Sequence, residues 1–217
     1  MATTYLSIVN DVLSRLREDE VATVSATDYS KLIGKFVNDI KQEVEDAWKW
    51  TKLRTVITIN TSASTQQYAV TGAGERMKIL GVYNDTDDVE MKIIPNTYMN
   101  SLNYFGTTQE GSPYYYRFAD EDSNHDPYVD LWPIPNGVYS IKFNLVVPDA
   151  ELTDDADTVT HFTHLIKLGA WAKAISERGE DGGVSFAEAD AAYRNALADE
   201  IIRDTDKVPH EQVWEVN

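Results

Sequence analysis

Residues 28–59 read DYSKLIGKFVNDIKQEVEDAWKWTKLRTVITI, and the hydrophobic period changes inside that stretch. Tyr29, Leu32, Ile33, Phe36, Val37, Ile40, Val44, Ala47 and Trp48 recur three or four residues apart, which places them along one side of an α-helix. Ser25, with Asp28 three residues later, has the spacing of a capping box. About 22 residues rising about 1.5 Å each make a rod about 33 Å long, and its apolar stripe requires a partner. From Leu53 onward the signal differs. Thr55-Val56-Ile57-Thr58-Ile59 is β-branched throughout, and such side chains favour the pleated surface of a strand.

Working outward, Tyr5, Ile8, Val9, Val12, Leu13 and Leu16 mark an earlier amphipathic helix, with Thr3 or Thr4 as cap. The acidic Glu18-Asp19-Glu20 opposes a helix C-terminal dipole and helps to end it. This helix is the nearest partner for the second, as an antiparallel hairpin. On the other side, strands are expected at 77–83, at the alternating Val89-Glu90-Met91-Lys92-Ile93, and at 114–118, 128–132 and 139–147. In the last of these Tyr139, Ile141, Phe143, Leu145 and Val147 share a face. Asn84 to Asp88 is turn chemistry, and Asn136-Gly137 is a strong hairpin signal. A short helix fits 96–105.

Helical periodicity returns after Thr158. Phe162, Leu165, Ile166, Gly169 and Ala170 form a stripe ending in small residues that allow close backbone approach. Glycines from 179 to 183 interrupt it. Ser185 with Glu188 gives a second capping box, followed by Phe186, Ala189, Tyr193, Ala196, Leu197 and Ile201. Residues 204–217 lack a period. The expected fold is therefore α+β. It has a four-helix bundle core of two N-terminal and two C-terminal helices (1–52 plus 151–203), an antiparallel β-rich insert (53–150) and an extended C-terminal tail (204–217).

The chain has 217 residues, 42% hydrophobic and 25% charged, which is ordinary globular composition and argues against wholesale disorder. It contains no cysteine, which removes disulfides and thiol nucleophiles. No signal-peptide pattern or run of about 18 apolar residues occurs, so no membrane partner is expected. Nineteen basic residues face 36 acidic ones, a net charge of −17, the reverse of what phosphate-tracking DNA binders show.

Motifs for chemistry are weak. Asp120, Asp122, Asn124 and Asp126 alternate like the start of an EF-hand, but His125 stands where glycine belongs and Leu131 where glutamate belongs. A hairpin tip accounts for that polarity equally well. Asp154, Asp155 and Asp157 precede a helix, where carboxylates favour the N-terminal dipole. His161 and His164 are three apart, not the four of a zinc-binding HExxH. GxSxG, GxxxxGK[ST] and GxGxxG are absent. No catalytic residue, cofactor or metal is expected, and the chain is read as a non-enzyme.

Aromatic residues are more telling. Tyr114, Tyr115 and Tyr116 run together, and Val213-Trp214-Glu215-Val216 puts a tryptophan in a polar terminal segment. Tyr114, Tyr115, Tyr116, Val213 and Trp214 are the expected protein-interface residues, because aromatic anchors are enriched at interface hot spots.

Several motifs occur in a telling order over residues 25–200: Trp48-Lys49-Trp50 closing a long helix, Pro113-Tyr114-Tyr115-Tyr116 opening a strand, Leu131-Trp132-Pro133-Ile134-Pro135-Asn136-Gly137, Leu152-Thr153-Asp154-Asp155-Ala156-Asp157 leading into the third long helix, and Gly169-Ala170 within it. Together they resemble the head-to-tail adaptor, or connector, proteins of short-tailed bacteriophages. The resemblance implies a structural virion protein with a helical core and a β-containing domain, made in the bacterial host cytoplasm. It implies a dodecameric ring in the neck that binds the portal protein and the tail nozzle, with tail fibres as a further partner. Double-stranded DNA would pass through the channel on ejection without specific binding. The net charge suits a repulsive lining, and Trp214 suits a tail docked in a portal cleft. Two alternatives stand beside this reading: another tail component, such as a nozzle or tube subunit, and a soluble domain holding a ligand or metal in its sheet.

Overall fold

The computed structural model describes residues 3–105, 107–179 and 185–207. In chain order their elements are β1 (Thr3–Thr4), α1 (Tyr5–Arg15), α2 (Asp28–Ala47), a 3-10 turn (Thr51–Leu53), β2 (Arg54–Asn60), β3 (Gln67–Ala69), β4 (Lys78–Asn84), β5 (Val89–Glu90), β6 (Lys92–Ile93), α3 (Asn96–Tyr104), β7 (Tyr115–Glu121), β8 (Pro127–Trp132), β9 (Ser140–Val146), β10 (Thr158–Val159), α4 (Thr163–Arg178) and α5 (Phe186–Thr205). They form two compact units, Met1–Lys52 with Asp149–Asn217, and Leu53–Pro148.

In the first unit, Thr4 caps α1 by accepting from the Ser7 amide. The capping box of α2 is Thr27 with Ser30, each side chain accepting the other's backbone N–H at 3.0 Å, and not the expected Ser25 with Asp28. The box at Ser185 and Glu188 opens α5 as its spacing predicts. Trp50 is fully buried; its indole N–H donates to the Val44 carbonyl at 2.7 Å and its ring lies 4.6 Å from that of Phe162. Lys41 is buried on α2, paired with Glu45 at 2.8 Å and donating to the carbonyls of Asp149 and Ala150 at 2.8 and 3.0 Å. Asn38 bonds Leu152 in both directions, amide to carbonyl and carbonyl to amide.

The expected four-helix bundle core is not what forms. The described residues contain five α-helices and ten strands in three sheets. The helices of this unit are organised about α4, against which α1, α2 and α5 all pack. A bundle needs four comparable apolar stripes. Here Leu165, Ile166, Gly169, Ala170, Ala172 and Ala174 are all buried, so α4 is enclosed on several sides. By contrast, α5 buries only Ala189, Tyr193 and Asp204. Gly169 makes the enclosure possible: a Cβ there would sit 2.6 Å from Ile40 Cγ2 and 3.0 Å from Tyr193 Cε2. A two-stranded sheet, β1 antiparallel to β10, also belongs to this unit.

The acidic run ahead of α4 serves its own loop. Asp155 accepts from the Val24 amide at 2.9 Å. Asp157 accepts from the Thr153 and Asp154 amides, both at 2.8 Å, which hold its carboxyl below the usual range. The residue before α4 is Phe162 in left-handed backbone, with no side-chain cap. Residue 204, where the extended tail was expected to begin, is still helical. Asp204 lies in the last turn of α5, buried, accepting from the amide and hydroxyl of Thr51.

The second unit is a two-sheet sandwich. One sheet has the order β2-β9-β4-β5 and the other β3-β8-β7-β6. Ile141, Phe143 and Leu145, the alternating face of β9, pack with Val82, Tyr116, Val129 and Leu131 into one core. The first sheet is antiparallel throughout, and the second is mixed, because β6 runs parallel to β7. Asn136-Gly137 does not make a hairpin: β8 and β9 lie in different sheets, so this turn carries the chain across. The 89–93 stretch likewise divides at Met91. The Met91 amide donates to Val82 in the first sheet, and that of Lys92 to Tyr114 beside the second.

Two expectations follow. Gly169→Ala gains about 1 kcal/mol of helix propensity, but overpacking a close contact costs about 1–3 kcal/mol. A lower Tm is therefore expected in thermal denaturation. Asp204→Ala strands the Thr51 donors and lowers stability by about 1–3 kcal/mol in urea titration at neutral pH. Burial pushes the Asp204 carboxyl up, but the Thr51 hydroxyl and amide and the Lys207 ammonium outweigh it and hold it low. Its folded value is depressed, so its contribution is present above the unfolded value of about 3.9 and is lost as pH falls through the folded one. The penalty of Asp204→Ala shrinks below about pH 4.

Candidate protein-interaction surface

Within the sandwich unit, α3 and β7 assemble an aromatic surface. Arg117 on β7 fixes α3 there. Its guanidinium meets Asp130 on β8 through two 2.8 Å contacts and donates to the Asn100 side chain of α3 at 3.0 Å. Asp130 also accepts from Gln67. Met99 turns inward and is fully buried, leaving the opposite side of α3 outward. Tyr98 on that helix packs edge-on against Tyr115 at 6.1 Å. Tyr115 meets Tyr114 at 4.7 Å and Trp132 at 6.0 Å, and Tyr114 meets Trp132 at 5.4 Å. A cis peptide bond joins Trp132 to Pro133.

Tyr114, Tyr115 and Tyr116 have three different surroundings. Tyr116 is buried in the sandwich core, 6.2 Å from the Phe143 ring. Tyr115 is half-buried, and Tyr114 is exposed. Val213 and Trp214 lie outside the described residues. Among the described residues the most exposed aromatics are ones that the sequence pattern did not mark: Tyr104 at 77% and Phe105 at 88%, at the end of α3, with Ile93 at 59% on β6. An apolar pair closing a short polar helix was the available signal, since neither residue has a core position to fill. Exposed apolar groups gathered on one element mark interaction surfaces.

A second open feature is the outer edge of β2. Among the described residues this strand ends its sheet and pairs only with β9. Among the described residues no backbone hydrogen bond reaches the other side of its seven residues. Val56 is 55% exposed there. A long, β-branched, unpaired edge is a template for another chain.

Little here suggests a reaction centre. A cavity of about 330 Å³ beside α3 is lined by Gln66, Asn103, Tyr104, Arg117, Trp132 and Ile134, but its one cation, Arg117, is already held by Asp130 and Asn100. In the 120–126 run, Asp126 is buried and accepts from the Gly72 and Gly74 amides at 2.9 Å, which hold its carboxyl low. Asp122 accepts from the amides of Asn124 and Asp126. Asp122 closes the β7–β8 hairpin tip, and Asp126 ties that tip to the loop after β3. His161 lies beside Phe162, and His164 is exposed at the start of α4.

A protein-family profile described as SU10 adaptor protein matches residues 3–212. The chain belongs to the SU10 adaptor protein family. It is a bacteriophage adaptor, a structural component of the virion. No curated protein matches it. The match takes in both units, so the helical unit and the sandwich are parts of one family design. Among the described residues no helix is long and apolar enough to cross a membrane.

The surface and core aromatics of this adaptor are expected to separate cleanly in urea denaturation. Tyr104→Ser and Phe105→Ser change stability by no more than about 0.5 kcal/mol, as exposed positions do. Tyr116→Ala costs about 3–5 kcal/mol.

Proposed function

We propose that this adaptor forms a ring in the virion neck, between the portal and the tail nozzle, through which double-stranded DNA passes on ejection. The observation that carries the reading is the family match across both units. A ring requires a heterologous contact, one surface of each copy meeting a different surface of the next, repeated until it closes. The aromatic end of α3 and the open edge of β2 are two such unlike surfaces on one unit. The net charge of −17 keeps the phosphate backbone from adhering to the channel. Twelve copies are proposed, to match the portal. The 208–217 segment, with Val213 and Trp214, is proposed as the portal-docking element, and tail fibres as a further partner.

The test combines the purified chain with its portal protein and follows assembly by native mass spectrometry. A complex near twelve copies of the chain per portal ring is expected. Phe105→Asp, which adds a charge to the aromatic surface, lowers the fraction assembled at least tenfold without changing Tm. Removal of 208–217, which leaves α5 and Asp204 intact, abolishes portal binding. A chain that ignores the portal and binds a tail tube protein instead overturns the placement.

A further inference from the structure

One group of ligand-type side chains lies apart from the surfaces described above. Glu75, Glu121 and His125 place a carboxylate oxygen, a carboxylate oxygen and an imidazole nitrogen all within 4.8 Å of one another. They come from two separate segments. Glu75 follows the Gly72-Ala73-Gly74 loop, Glu121 ends β7, and His125 stands in the hairpin tip. His125 has left-handed backbone, φ 61°, and its amide donates to the Asp122 carbonyl at 3.0 Å. Its Nδ1 lies 3.1 Å from Glu121 Oε1. Asp126 ties the two segments together through its bonds to Gly72 and Gly74. The backbone therefore holds Glu75 beside the His125–Glu121 pair, so that three metal-ligand side chains converge.

We propose that Glu75, Glu121 and His125 form a binding site for a divalent transition-metal ion, with zinc as the representative. This does not rest on the neck placement. One imidazole and two carboxylates suit zinc and its first-row neighbours, whereas calcium takes six or more oxygens. Bonds of about 2.0–2.2 Å place tetrahedral ligand atoms roughly 3.4 Å apart. All three side chains are exposed, so rotamer changes supply the contraction of up to about 1.4 Å. Three protein ligands leave a fourth position for water or a donor from another chain. The ion would join the β7–β8 tip to the loop after β3, a link that the sequence reading, which weighed only the 120–126 run, did not contain.

The test is calorimetric titration of the full chain with zinc chloride, repeated with Co²⁺ and read by visible absorption. The variants are Glu75→Gln and His125→Asn; asparagine tolerates the left-handed backbone, so His125→Asn removes the ligand without straining the turn. One saturable site is expected in the natural chain, weakened at least tenfold in each variant, with the Co²⁺ bands lost. Added zinc should also slow amide exchange at 72–75 and 121–126 in the natural chain alone. Equal titration of all three proteins, or no saturable binding to the natural chain, overturns the proposal.

Discussion

The ammonium of Lys41 is the tie on which the helical unit depends. That unit is built from two stretches of chain, and the second begins at Asp149. Lys41 is buried, and its three donors meet Glu45, the Asp149 carbonyl and the Ala150 carbonyl. An unpaired buried charge is costly, so this group has one satisfied arrangement, and it fixes where the returning chain lands. Asn38 then clamps Leu152, Asp155 takes the Val24 amide, and the Tyr5 amide donates to the Asp157 carbonyl. With that segment seated, α4 enters between α1 and α2, and Gly169 lets it close on Ile40. The departing end is fixed in the same way by Trp50 against Val44 and Phe162.

The two units differ in what they leave outside. Among the described residues, the helical unit turns most of its large apolar groups inward, with Trp48, Phe186 and Ile202 as exceptions. The sandwich unit closes its own core with Tyr116 and Phe143 yet carries Tyr104, Phe105 and Ile93 on its surface and leaves β2 unpaired at its outer edge. Exposed apolar groups gathered in this way make the sandwich unit the candidate surface for contact with other chains. The absence of cysteine leaves its interfaces non-covalent.

Local periodicity made much of this legible. The stripe from Tyr29 to Trp48 marks α2, the Ser185 and Glu188 spacing marks the start of α5, the alternation around Phe143 marks β9, and 96–105 marks α3. Tertiary choices were not legible. A stripe states that a helix has an apolar side but not how many neighbours it meets, so α4 looked like one of four equal helices when it is the enclosed one. Asn136-Gly137 has hairpin chemistry, yet whether the next strand pairs with the last one or crosses to the other sheet is decided by the core face of β9. The alternation from Val89 to Ile93 continues unbroken through Met91, where the hydrogen-bonding partner changes sheets. The exposure of Phe105 is a surface property with no period to betray it. Glu75 and His125 meet only through the Asp126 clamp.

The placement of the chain in the neck is the claim that binds sequence, fold and family together. Electron cryo-microscopy of intact virions, reconstructed at the portal vertex with the tail, tests it most directly. A ring directly beneath the portal, into which a helical unit centred on α4 and a two-sheet sandwich both fit, is the predicted result. A neck whose ring is built from another chain, with this one absent or confined to the tail tube, would contradict it.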